Sequence, residues 1–256
     1  MTLRVRVAKD PDAICRRLAA DLSEGARAAR STRGRFRLVL SGGGTPRPLY
    51  RLLAGQGPGG LPWGEVEVFW GDERCVPPQD PESNYREARA DLLDKVPVPG
   101  DHLHRIPGEA PTAEEAALRY EEELSRSLGS ETPDFDYVLL GMGKDGHTAS
   151  LFPGQPLEGE PGRRTVAVPH PGQPPFVPRV SLTRTCLSSS REVGVLVTGS
   201  EKAERVAQVL RSLPSGDPNL PVSQIRSAGN LTWYLDAPAA SRSQELLPSL
   251  SAEVDS

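Results

Sequence analysis

Lysine is scarce in this chain: of its 30 basic residues 26 are arginine and 4 are lysine, so nearly all positive charge is carried by guanidinium groups. Cysteine is scarcer. Cys15, Cys75 and Cys186 are odd in number and widely separated, and no Cys-x-x-Cys pair occurs, which argues against a disulfide framework and a cysteine-built zinc site. No apolar run approaches the ~18 residues of a membrane span, and no basic segment followed by an apolar one opens the chain. The expectation is a soluble, cytoplasmic protein. Excess charge of one sign is also lacking: a net charge of -4 and a pI near 5.7 do not suit a dedicated nucleic-acid binder. The 26 prolines and 25 glycines are about a fifth of the 256 residues, below the ~25–30% that marks a disordered or fibrous chain.

What is present patterns as an α/β protein. The one basic stretch, residues 1–40, holds nine arginines and Lys9 against Asp10, Asp12, Asp21 and Glu24. Acids interleave with the bases, and Ile14, Leu18 and Leu22 recur at helical spacing, so an amphipathic helix over Asp10–Ala29 fits better than a transit peptide. Strands are expected at Arg35–Leu40, Glu65–Trp70, Tyr137–Leu140, Thr165–Val168, Arg179–Leu182, Glu192–Val197 and Leu231–Leu235. Helices are expected after Thr45, from Asn84, from a capping box at Thr112–Glu115 to Leu128, near 183–189 and over Glu201–Leu213. This alternation implies a mostly parallel, Rossmann-like sheet with helices on both faces. We expect one such domain over residues 1–240 and a frayed tail, rich in serine and acids, over 241–256.

Ligands of such sheets bind where loops leave the carboxyl ends of strands. Three polar segments stand there: Ser41-Gly42-Gly43-Gly44-Thr45, Gly71-Asp72-Glu73-Arg74 and Gly141 to His147. In the first, glycines let the backbone approach an anion and the following helix start favours a phosphate. Thr45 can cap that helix with Pro46 at its first position. Arg179 and Lys202 are candidate cations for the phosphate. In the third, His147 suits a general base near neutral pH, with Asp145 to orient its ring. Arg74 can stabilise charge developing on an oxygen. Gly141-Met142-Gly143-Lys144-Asp145-Gly146 matches the GxGxxG letters of a dinucleotide site, but Pro153 stops any following helix within about two turns and no acid stands at the right offset on a strand end. His102 and His104 share one face of a strand without a third ligand nearby, so no metal is expected.

These segments, with Cys75-Val76-Pro77, Glu82-Ser83-Asn84-Tyr85 and Thr148-Ala149-Ser150-Leu151-Phe152-Pro153 completing them, resemble the 6-phosphogluconolactonases of the glucosamine-6-phosphate isomerase/6-phosphogluconolactonase family in order and spacing. Pro178–Thr183, Gly199–Ala203 and Thr232–Asp236 extend the resemblance over roughly residues 10–240. Gly44 stands where the family often has serine. The resemblance implies the glucosamine-6-phosphate deaminase/ribose-5-phosphate isomerase-like fold and hydrolysis of 6-phospho-D-glucono-1,5-lactone, without metal or cofactor. It implies His147, Asp145 and Arg74 as catalytic residues, and Gly43, Gly44, Thr45, Asp72, Lys144, Arg179 and Lys202 as contacts to a phosphorylated sugar lactone. No nucleic-acid or membrane partner is implied, and a monomer and a homodimer are equally compatible with it. Two rivals are a sugar-phosphate isomerase or deaminase, whose Asp-Gly-His segment continues into an Asn-Glu-Pro pattern absent here, and a sugar-phosphate sensor. A sensor attached to a helix-turn-helix would need two helices where one precedes the first expected strand.

Overall fold

The computed structural model describes residues 2–57, 60–129, 134–250 and 252–254. The chain opens with a strand that is not among the expected elements, β1 (Thr2–Ala8), in which Leu3, Val5 and Val7 alternate with Arg4 and Arg6. Asp10 then accepts a hydrogen bond from the Ala13 N–H at 2.7 Å and caps α1 (Pro11–Arg33), which ends at left-handed Gly34. Ile14, Leu18, Leu22 and Ala26 form its buried face. Its arginines sit on the outer side, where Arg17, Arg30 and Arg33 pair with Glu253, Glu65 and Asp136.

The next elements are β2 (Phe36–Leu40), α2 (Arg47–Gly55), β3 (Val66–Trp70), β4 (Asp72–Arg74), α3 (Asn84–Asp91), β5 (Leu103–His104), α4 (Ala113–Leu128) and β6 (Tyr137–Leu140). They are followed by β7 (Thr165–Val168), β8 (Arg179–Leu182), α5 (Arg184–Ser188), β9 (Glu192–Val197), α6 (Ala203–Ser212), β10 (Asn230–Asp236), α7 (Ala237–Ala240) and β11 (Ala252–Val254). Eight strands form one all-parallel sheet in the order β11-β1-β10-β9-β6-β2-β3-β5. Successive residues of a strand point to opposite faces, and every residue of β2 and β6 is buried, so helices cover both sides of the sheet there.

Two expectations need correction. The tail from Ser241 does not simply fray: Val5–Val7 of β1 pairs in parallel with Ala252–Val254, and the Glu253 carboxylate lies 2.6 Å from the Arg17 guanidinium. An edge strand with unpaired backbone groups accepts such a partner. Strand Arg179–Leu182 is not in the parallel sheet. It is the centre of a separate antiparallel sheet, β4-β8-β7, with α4 against its side. Gly71 joins the two sheets, donating to the Leu40 carbonyl at 3.0 Å and accepting from the Leu182 N–H at 2.8 Å.

This topology positions the site. From β2 the chain moves through α2 to β3 on one side, whereas from β6 it moves towards β9 on the other, and β2 and β6 are neighbours. The carboxyl ends of β2 and β6 therefore flank a topological switch point, where parallel sheets open a crevice.

Candidate active site

The glycine loop leaves β2 under tight control. Buried Tyr50 on α2 receives the Ser41 N–H at 3.0 Å and donates its own hydroxyl to the Ser41 carbonyl at 2.6 Å. Thr45 does not cap α2 as expected: the helix starts at Arg47, Pro46 occupies the cap position, and no side chain caps it. Thr45 lines the cavity instead. The three glycines have different reasons. A Cβ on Gly42 would lie 2.0 Å from Asn84 Oδ1, and Gly43 takes a φ of +86°, whereas a Cβ on Gly44 would meet open space. The serine often found in the family at position 44 would fit here.

The Asp72-Glu73-Arg74 segment, expected as a loop, is strand β4, and its alternation assigns the roles. Asp72 and Arg74 share the face that lines the cavity, opposite Ser181 and Arg179 of β8. Glu73 points the other way and is 3% exposed. Burial pushes its carboxyl up to about 7, against the pull of the Tyr85, Asn84 and Arg74 N–H groups and the Ser83 hydroxyl that it accepts. Arg74 and Arg179 are a cross-strand pair of like charges, which is unfavourable unless an anion sits between or beside them. Among the described residues, each also has a buried Nε without a hydrogen-bond partner. Arg74 donates to the Glu82 carbonyl at 2.5 Å. Arg179 donates to the Gln173 and Pro175 carbonyls at 3.0 and 3.1 Å and lies 5.3 Å from the Phe152 ring. Burial lowers the pKa of Arg179, nearby Asp72 opposes that shift, and Arg74 adds to it.

His147 sits in a compact turn after β6. The Gly143 N–H donates to the His147 carbonyl, and a Cβ on Gly143 would lie 2.1 Å from the imidazole, so a glycine of the GxGxxG match makes room for histidine. The His147 Nδ1 to Asp145 Oδ1 distance is 2.6 Å, and the His147 N–H reaches the same oxygen at 3.1 Å. Burial raises the pKa of Asp145, but its hydrogen bonds and charge interaction with His147 outweigh that and hold it down at about 2. At neutral pH Asp145 is therefore ionised and accepts the Nδ1 proton, which leaves the Nε2 lone pair for the cavity. The folded value lies below the unfolded ~3.9. The stability this pair contributes is thus present above pH ~4 and lost as pH falls towards ~2. Urea unfolding should show the difference in midpoint between wild type and Asp145→Asn narrowing from pH 5 to pH 2; an unchanged difference would contradict the pairing.

Lys202 enters from the turn between β9 and α6, which Asp236 holds by accepting the Gly199 N–H at 3.1 Å. Burial lowers the pKa of Lys202, partly offset by Glu201, and Lys144 lowers it further. One cavity of about 200 Å³ gathers Gly43, Gly44, Thr45, Asp72, Arg74, His147, Arg179 and Lys202. That size suits one small polar ligand rather than a dinucleotide.

Asp145 reaches this cavity through His147. Lys144 does not line it: the residue is exposed, and its carbonyl accepts from Arg205 Nε at 3.1 Å. Two residues outside the expected set belong to the site: Asn84 lines the cavity, and the Ser150 hydroxyl donates to Asp72 at 2.6 Å. Both fall inside motif segments, but only the β4 pairing shows what they touch. No cluster of three His, Cys, Asp or Glu side chains suited to a metal occurs among the described residues. His102 contacts the Val66 carbonyl and His104 the Glu123 carboxylate, so the two imidazoles have separate partners. No helix among the described residues is long and apolar enough to cross a membrane.

A family model described as glucosamine-6-phosphate isomerases/6-phosphogluconolactonase matches residues 9–233. A 6-phosphogluconolactonase of a Synechocystis strain is 41% identical over 211 residues, covering 81% of this chain and 84% of the relative. The solved 6-phosphogluconolactonase from Trypanosoma cruzi superposes with a TM-score of 0.81 at 30% identity, covering 95% of this chain and 98% of the other. A monomeric glucosamine-6-phosphate deaminase superposes with a TM-score of 0.76 over 94% of this chain and 100% of the other. At 22% identity that likeness concerns the fold.

Proposed function

Because the chain belongs to the glucosamine-6-phosphate isomerase/6-phosphogluconolactonase family, we propose that it hydrolyses 6-phospho-D-glucono-1,5-lactone to 6-phospho-D-gluconate, the second step of the oxidative pentose phosphate pathway, in the cytoplasm. The observation that carries this reading is the joining, in one cavity, of an Asp145-held histidine to a cluster of cations and loop amides.

Phosphate supplies the anchor. The backbone of Gly43, Gly44 and Thr45 faces it with Arg179 and Lys202, both of which lose solvation on burial and regain a partner when an anion binds. Lys144 adds positive potential nearby without touching it. With the phosphate fixed, the lactone carbonyl carbon is brought to His147. His147 Nε2 removes a proton from water as the water oxygen bonds to C1. Arg74 stabilises the oxyanion of the tetrahedral intermediate. Collapse breaks the C1–O5 bond, and the imidazolium returns its proton to O5. Asp72 orients the sugar hydroxyls from the same strand face as Arg74.

The fold is shared with deaminases, so the discriminating experiment presents glucosamine 6-phosphate beside the lactone. The expected result is lactone hydrolysis with no ammonia release. Ammonia formed at a rate comparable to lactone opening would replace this reading with a deaminase.

A further inference from the structure

We propose that Asn84 is a positioning residue of this site, holding Asp72 against the glycine loop. It opens α3, is 2% exposed and lines the cavity. Its backbone cannot drift, because Glu73 accepts the N–H groups of Asn84 and Tyr85, each at 2.8 Å, and the Ser83 hydroxyl at 3.0 Å. From that fixed base Nδ2 donates to the Asp72 carbonyl at 2.9 Å and lies 3.4 Å from Asp72 Oδ1. Ser150 holds the other Asp72 oxygen at 2.6 Å. The carboxamide then lies flat on Gly42, where a Cβ would come within 2.0 Å of Oδ1.

One side chain thus spans the segments that follow β2 and β3. Asn84 Oδ1 is buried and has no hydrogen-bond partner among the described residues. An unpaired buried acceptor is costly, so packing alone would favour an apolar side chain here. The carboxamide is explained by what Nδ2 does for Asp72. The charged and titratable groups near it among the described residues are Asp72, Glu73 and Arg74 of β4, Arg179 of β8, His147 and Lys202 across the cavity, Glu82, Arg86 and Glu87 beside it in the chain, and Arg47 of α2.

This inference rests on the substrate placement proposed above, in which Asp72 and the glycine loop touch the sugar phosphate. The test measures kcat and KM for lactone hydrolysis in Asn84→Ala, Gly42→Ala, Asp72→Asn and the Asn84→Ala/Asp72→Asn double variant, with thermal midpoints recorded. Asn84→Ala should lower kcat/KM roughly 10-fold, the size of losing a hydrogen bond to the Asp72 carbonyl together with a long contact to its carboxylate. The double variant should be no worse than Asp72→Asn, because the two act as one unit. Gly42→Ala should reproduce the Asn84→Ala loss from the other side of the contact. Asn84→Asp sets a second carboxylate against Asp72, so the point on the acid side at which kcat/KM steepens from loss of one required ionisation to loss of two should move up by about one unit or more, while Asn84→Ser leaves it in place. A native profile in Asn84→Asp, or losses that multiply in the double variant, would overturn the assignment while the substrate placement stands. Native kcat/KM in Asp72→Asn would instead sink that placement, and the assignment with it.

Discussion

Replacing His147 with alanine is expected to lower kcat by roughly 10²–10⁴-fold and to leave KM within a few-fold of wild type, the pattern of a group that acts in proton transfer rather than in ground-state binding. Three observations set this expectation. Nδ1 is occupied by Asp145, so Nε2 is the nitrogen available to water. Asp145 stays ionised far below neutrality, which holds the ring in one tautomer. The glycine at 143 lets the imidazole sit close against the backbone, where a side chain would displace it. The imidazole is partly exposed and packs at 4.7 Å on Phe152, so its removal leaves no deep cavity and the fold should persist. Steady-state hydrolysis with a thermal midpoint on the same sample checks this, and near-native turnover would remove His147 from the role.

Arg179→Ala should act on KM instead. Losing a charged hydrogen bond to phosphate is worth about 1.5–3 kcal/mol, which raises KM roughly 10- to 100-fold for the phosphorylated lactone. Unphosphorylated gluconolactone should be affected much less, because it has no group to lose. Among the described residues the buried Arg179 Nε has no hydrogen-bond partner, so this N–H is available to an anion. The same guanidinium also holds the 173–175 carbonyls, so Arg179→Lys, which keeps the charge but not the planar fork, should recover only part of the loss. An unchanged KM in Arg179→Ala would place the phosphate elsewhere.

Particular residues show how far the sequence could be read. Apolar runs such as Tyr137–Leu140 and Glu192–Val197 coincide with β6 and β9, because strands buried on both faces have few alternatives to extended structure. The short pieces were not legible. β5 has two residues and β4 three, too few for a period, and β11 takes its conformation from the edge of β1 rather than from its own composition. That loss at β4 hid the most: as a loop, Asp72-Glu73-Arg74 is one polar cluster, whereas as a strand it divides into two cavity residues and a buried carboxylate that anchors the next turn. Adjacency to Asp145 in sequence likewise does not fix where Lys144 lies: it is exposed and is not among the residues that line the cavity. Asn84 was invisible as a contact because its partners, Asp72 and Gly42, are set by two separate strands.

The central claim is that this cavity opens a phosphorylated sugar lactone. Its most direct test is pH-stat titration of freshly generated 6-phospho-D-glucono-1,5-lactone with the purified protein, corrected for spontaneous hydrolysis. Each opening releases one proton as the carboxylate forms. The expected turnover is on the order of 1–1000 per second in the wild type, falling roughly 10²–10⁴-fold in His147→Ala at the same concentration. Proton release by the wild type no faster than the buffer alone would contradict it.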